Sequence, residues 1–175
     1  MAWCKLSDRF AMSPSAPLAR KWQTLRRQTW PALALVVPTW TLLGLARLSL
    51  VLVAQKRLAM FYGQDLGTTV WLPLTTPAQD ARARHVRAAL GIAARYSPWR
   101  ADCYPQALTA RLLLALFRVP HVMCFGLRRR AGAAHAHAWV RAGRVPVCGG
   151  EGFGRYTLVR AFVSGDGAAV RRGSP

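Results

Sequence analysis

Acidic side chains are the scarcest feature of this chain. Six Asp and Glu face 25 Lys and Arg across 175 residues, for a formal net charge of +19. Any carboxylate role therefore has few candidates. Cysteine is sparse as well: Cys4, Cys103, Cys124 and Cys148 lie far apart, and no Cys-x-x-Cys pair occurs. His135 and His137 have no cysteine at metal-ligand spacing, so no metal site and no cofactor is expected. No internal repeat is visible. The first residues carry Lys5, Asp8 and Arg9 and show no clear apolar stretch followed by a small-residue cleavage site. Reduced thiols and a cytoplasmic protein are the expectation. Nucleic-acid binding is the weakest class. No binding fold is recognisable, and the aromatics do not interleave with the basic residues as a stacking platform.

What is present is apolar and basic. At 53% hydrophobic residues the chain can bury a core. Its positive field favours anionic partners: acidic peptide segments, nucleic acid or an anionic membrane surface. The same wealth of Arg and Ala is also what a GC-rich gene produces. Residues 30–46 are uncharged and mostly apolar, and residues 48–54 continue the run after Arg47. The length approaches that of a membrane span. Pro38, Thr39, Thr41, Gly44 and the internal Arg47 argue instead for a buried helix or a membrane-surface helix. Arg20, Lys21, Arg26 and Arg27 beside it would suit an anionic surface. Membrane-surface contact through residues 30–54 is thus one expectation.

Four regions follow. Residues 1–17 form a flexible tail ending in Ser13-Pro14-Ser15-Ala16-Pro17. Residues 18–77 form an apolar helical N-terminal region, broken near Pro38 and irregular from residue 63 onward. Residues 78–163 form the core, and residues 164–175 a second flexible tail. Within the core, 78–96 reads as a helix with Val86, Leu90 and Ala93/Ala94 at helical spacing. A second helix spans about 102–117, with Asp102 as N-cap and Pro105 in the first turn, where its missing N–H costs nothing. Strands are expected at 121–127, 134–141, 145–148 and 156–163, with turns at 128–133, 142–144 and 149–152. Helices first and closely spaced strands after them predict an α+β fold with a small antiparallel sheet.

Two residues carry chemistry. Cys103 opens the second helix, and a helix N-terminus favours the thiolate, which is the nucleophilic form. A small buried core residue is the plainer reading of any cysteine; polar Asp102 and Gln106 beside it argue against an apolar niche. On the second expected strand, His135 and His137 share a face, and either could meet the cysteine as a base. Periodicity does not choose between them, and a half-exposed strand histidine without a role is the plainer reading of each. A third group should orient the imidazole. Glu151, on the glycine-rich turn, would approach the histidine if the neighbouring strands pair. Cys124 and Cys148 lie in apolar strands and read as packing residues. No role is assigned to His85 or His121.

Several motifs resemble one family. They are Ser97-Pro98-Trp99-Arg100, Asp102-Cys103-Tyr104-Pro105-Gln106-Ala107-Leu108, and Gly126 at a strand end. Ala136-His137-Ala138-Trp139-Val140, Gly149-Gly150 and Phe153-Gly154-Arg155-Tyr156-Thr157 complete the set. Over about residues 78–163 the chain resembles the lasso-peptide leader peptidases. These are the B proteins of lasso-peptide biosynthesis, within the transglutaminase-like cysteine-protease superfamily. The resemblance implies a papain-like fold with the order Cys, His, acid. It makes Cys103 the nucleophile and His137, rather than His135, the base. The family's Asp would fall about a dozen positions after the histidine, at Gly149; the nearest acid is Glu151. The implied activity is leader removal from a ribosomally made precursor peptide, before ring closure by a separate ATP-dependent lasso cyclase. No leader-binding domain is evident, so a separate leader-recognition protein is expected. The alternatives are a transamidase on the same scaffold and a non-catalytic basic module held at a membrane.

Overall fold

The computed structural model describes residues 30–52, 62–69, 72–130, 133–150 and 154–164. The tail 1–17, the segment 18–29, Glu151 and residues 165–175 lie outside the described residues; Ser164, expected in the second tail, ends a strand instead. Helices α1 (Trp30–Ala34) and α2 (Val36–Leu52) form the apolar run, interrupted at Leu35. Pro38 was the expected break. Instead it sits in the opening turn of α2, where a missing N–H breaks no intrahelical bond. Helix α3 (Pro77–Arg95) begins with a capping box. Thr76 accepts from the Gln79 amide at 3.3 Å, and Gln79 Oε1 accepts from the Thr76 amide at 2.9 Å. Two otherwise orphaned donors are thereby satisfied, which fixes where the helix starts. Its buried stripe is Ala83, Val86, Ala89, Leu90 and Ala93. Helix α4 (Cys103–Leu116) follows.

The sheet has five antiparallel strands in the order β1-β5-β2-β3-β4. They are β1 (Gln64–Gly67), β2 (His121–Arg130), β3 (Ala133–Ala142), β4 (Val145–Cys148) and β5 (Thr157–Ser164). The α+β expectation holds. Two details differ. Strand β1 arises in a stretch that reads as irregular, and β2 and β3 run on through Arg130 and Ala133. Arg128, Arg129 and Arg130 pair in register with His135, Ala134 and Ala133, so they extend the ladder where a turn was expected. Gly126 lies inside β2.

One face of the sheet meets the helices. Leu43, Val86, Leu90, Leu113, Leu114, Met123, Val140 and Phe162 belong to this larger core. The other face carries a smaller cluster of Val122, Cys124, Trp139 and Ala161, with Tyr156 and Leu158 packed against it. Helix α2 packs on α3 and α4 through Leu43 and Ala46, while Val37, Leu45, Leu48, Val51 and Leu52 remain exposed. The run Trp30–Leu52 is long and apolar enough to cross a membrane by length and composition alone.

Candidate active site

Cys103 is the first residue of α4. Asp102 holds the N-cap position with extended backbone, as expected, but its side chain makes no capping hydrogen bond. The carboxylate turns to Arg47 of α2 at 3.8 Å. Both side chains are more than a third exposed, so this pair adds little stability. Gln106 Nε2 donates to the Ala101 carbonyl at 2.7 Å and ties the helix to the segment before it. Pro105 lies in the first turn.

Histidine comes from the sheet. Among the described residues β4 pairs with β3 at Val140, Arg141 and Ala142 and no further, so the His-bearing half of β3 keeps an open edge. A cavity of about 340 Å³ lies between that half of β3 and the start of α4. Cys103, Gln106, His135, His137, Gly149 and Tyr156 are among its lining residues. Cys103 and His137 therefore face one solvent-filled space. His135 lines it too, as expected from its two-residue spacing along the strand.

The ring of His137 is held on three sides. Its Nε2 lies 2.8 Å from the Gly149 carbonyl oxygen. A carbonyl only accepts, so Nε2 carries the hydrogen and Nδ1 of the neutral ring keeps its lone pair. The ring stacks on Tyr156 at 4.7 Å between centroids and on Trp139 at 6.1 Å. Gly126, directly opposite His137 in the ladder, makes room for this stack. A Cβ there would come within 2.9 Å of Trp139 ring carbons and 2.8 Å of Tyr156 Cβ. Gly149 has φ +75, and its Cβ would sit 2.5 Å from the Ala138 carbonyl oxygen. Only glycine accepts both constraints without strain. The position where the family's Asp would fall thus supplies a backbone carbonyl, an acceptor that side-chain patterns do not reveal. Tyr156 belongs to the Phe153–Thr157 motif, and its stacking on the histidine ring has no signal in the sequence pattern.

The remaining thiols and histidines differ. Cys124 and Cys148 are buried, and burial pushes both thiols up to about 12. For Cys148 a backbone hydrogen bond with Val140 opposes that rise, and nearby Cys103 adds to it. His121 is fully buried; desolvation pulls it down to about 4, against the Val119 carbonyl bond that favours the charged ring. Among the described residues no group of three His, Cys, Asp or Glu could hold a metal ion.

A family model described as the transglutaminase-like superfamily matches residues 48–161, about two-thirds of the chain. The chain belongs to the transglutaminase-like superfamily. The matched segment contains the entire cavity lining and reaches back into α2. This superfamily includes cysteine peptidases and transamidases. No curated protein and no solved structure matches the chain.

Proposed function

We propose that this transglutaminase-like protein is a cysteine peptidase that removes the leader from a ribosomally made lasso-peptide precursor. The observation that carries the reading is the shared cavity. Its lining includes both a helix-opening cysteine and a histidine whose Nε2 is engaged by the Gly149 carbonyl. With Nε2 committed as donor, Nδ1 is the nitrogen that can take a proton. His137 Nδ1 removes the Cys103 thiol proton, and the sulfur attacks the scissile carbonyl carbon. The helix dipole of α4 favours the negative charge that develops there. The C–N bond then breaks, and the leaving amine takes the proton from His137. A water molecule, deprotonated by the same nitrogen, attacks the thioester carbon. The carboxylate product leaves and the thiol is restored.

The leader-specific part rests on the motif resemblance together with the superfamily match. A separate leader-recognition protein would hold the precursor with its scissile bond near Cys103, replacing chance encounter by a positioned one. A separate ATP-dependent cyclase would act on the product. The test is a cleavage assay with precursor and leader-recognition protein. Cys103→Ala should reduce leader release to the uncatalysed level while its melting curve stays that of the parent protein. Normal release by the folded variant would end the cysteine mechanism.

A further inference from the structure

The cavity has a charge that the cysteine–histidine chemistry does not use. Arg128 and Arg130 line it together with His135. The β2–β3 register explains why. Residues directly opposite in an antiparallel ladder share a face, and Gly126, Arg128 and Arg130 oppose His137, His135 and Ala133. Both arginines therefore lie on the face that carries His137. Asp102 is the acid in the described lining, and its carboxylate is already engaged by Arg47. Arg128 lies 5.9 Å over the Tyr156 ring, which aligns the guanidinium without neutralising it. Neither Arg128 nor Arg130 forms an ion pair with a described residue. Among the described residues the lining thus combines two guanidinium groups that form no ion pair and an imidazole, in a chain where acids are scarce.

We propose that Arg128, Arg130 and His135 form a subsite for an acidic side chain of the peptide substrate. This rests on the peptidase reading above. A leader is cut from the interior of a longer chain, so a carboxylate close to the scissile bond there belongs to Asp or Glu. Strand geometry sets the spacing. His135 and Arg128 lie two residues along the ladder from His137, which is ~7 Å at the rise of an extended strand. An extended substrate covers the same span in about two residues. Arg130 stands one further pair of residues away, within reach of a longer Glu. Guanidinium groups suit the role because they present paired N–H donors to a carboxylate.

The test uses probes that carry their own electrophile, so no precursor is needed. Iodoacetyl-Ala-Asp-amide and iodoacetyl-Ala-Asn-amide differ by one charge, about two residues from the alkylated sulfur. Rates of modification at Cys103 are compared by mass spectrometry. The Asp probe should react about tenfold faster, the ratio that ~1.4 kcal/mol of preferential binding produces. The advantage should shrink with added salt. The Arg128→Gln/Arg130→Gln double variant should bring the ratio towards one. Arg130→Glu alone, at an exposed position where folding is not at stake, should also lower it. Because each variant serves as its own reference, a general change in Cys103 reactivity cancels. Equal rates for the two probes at a selectively modified Cys103, or a ratio the variants leave unchanged, would overturn the subsite alone. Failure of the Asn probe to select Cys103 over Cys124 and Cys148 would instead strike the peptidase reading, and this inference with it.

Discussion

His137 and His121 each lie 2.8 Å from a backbone carbonyl, Gly149 for one and Val119 for the other. His137 faces an open cavity beside Cys103, stacked on Tyr156. His121 is fully exposure-free behind α4, near Arg111, and its Nε2 finds no partner among the described residues. The cysteines divide the same way. Cys103 lines the cavity, whereas Cys124 and Cys148 are buried and their thiols are pushed up to about 12. Residue type and hydrogen-bond partner are shared across the two regions, so neither decides the chemistry. Solvent access and the surrounding side chains do. A buried imidazole pays a desolvation cost to charge, and a buried thiol pays the same cost to ionise. The core histidine and cysteines are therefore held in their neutral forms, whereas Cys103 and His137 line an open cavity.

The largest effect should separate the histidines. His137→Ala should slow leader cleavage by roughly 10²–10⁴-fold, the usual worth of a general base. His135→Ala should cost far less, and His121→Leu should leave the per-molecule rate of the folded fraction near that of the parent. Steady-state assays on the three purified variants read this directly. A larger loss at His135 than at His137 would mean that the base is the other cavity histidine.

A smaller effect should come from the orienting group. Gly149→Ala places a Cβ 2.5 Å from the Ala138 carbonyl oxygen, at a backbone angle alanine rarely adopts. The Gly149 carbonyl must shift, and His137 with it. A loss on the order of tenfold or more is expected, since misplacement by about 1 Å can cost ~10²-fold. Glu151→Gln should cost less than either His137→Ala or Gly149→Ala, because a carbonyl already fixes the tautomer. If Glu151→Gln proves the more damaging change, a carboxylate rather than the Gly149 carbonyl orients the ring.

The smallest difference concerns stability and arises at His121. Its folded value is about 4 against the ordinary 6.5. Between those pH values the unfolded chain binds the extra proton and the folded chain does not. Stability from this group is thus full above about pH 6.5 and is lost as pH falls towards 4, to a total on the order of 3 kcal/mol. Melting curves at pH 7 and pH 5 should show His121→Leu losing less on acidification than the parent. An identical pH slope in both proteins would remove His121 from the acid response.

How much of this was legible in the sequence follows from the same contrast. Periodic apolar residues gave α3, while Asp102 and Pro105 marked the start of α4 and hence the place of Cys103 at a helix mouth, where it is half-buried. Alternation gave the centre of β3, and short apolar runs between turn residues gave those of β2, β4 and β5. Strand β1 was missed because Gln64-Asp65-Leu66-Gly67 has no apolar alternation; its conformation comes from pairing with the edge of β5. Arg128 to Arg130 read as a turn because three consecutive cations carry no apolar alternation, yet the ladder continues through them. The acceptor for His137 was missed for a different reason. The group that holds the ring is a main-chain oxygen, which every residue carries and no side-chain pattern marks. The available signal was a Gly-Gly pair a dozen residues past the histidine, where positive φ angles re-aim the backbone.

Alkylation of the cysteines in the native and the denatured chain tests the cavity pair most directly. Limiting iodoacetamide is added near pH 6, where an ordinary thiol is mostly protonated and slow. Each site is then quantified by mass spectrometry. In the native protein Cys103 should be modified faster than in the denatured chain, and Cys124 and Cys148 more slowly. His137→Ala should abolish the native advantage at Cys103. A Cys103 that reacts no faster folded than unfolded, or whose rate is indifferent to His137, would contradict the account.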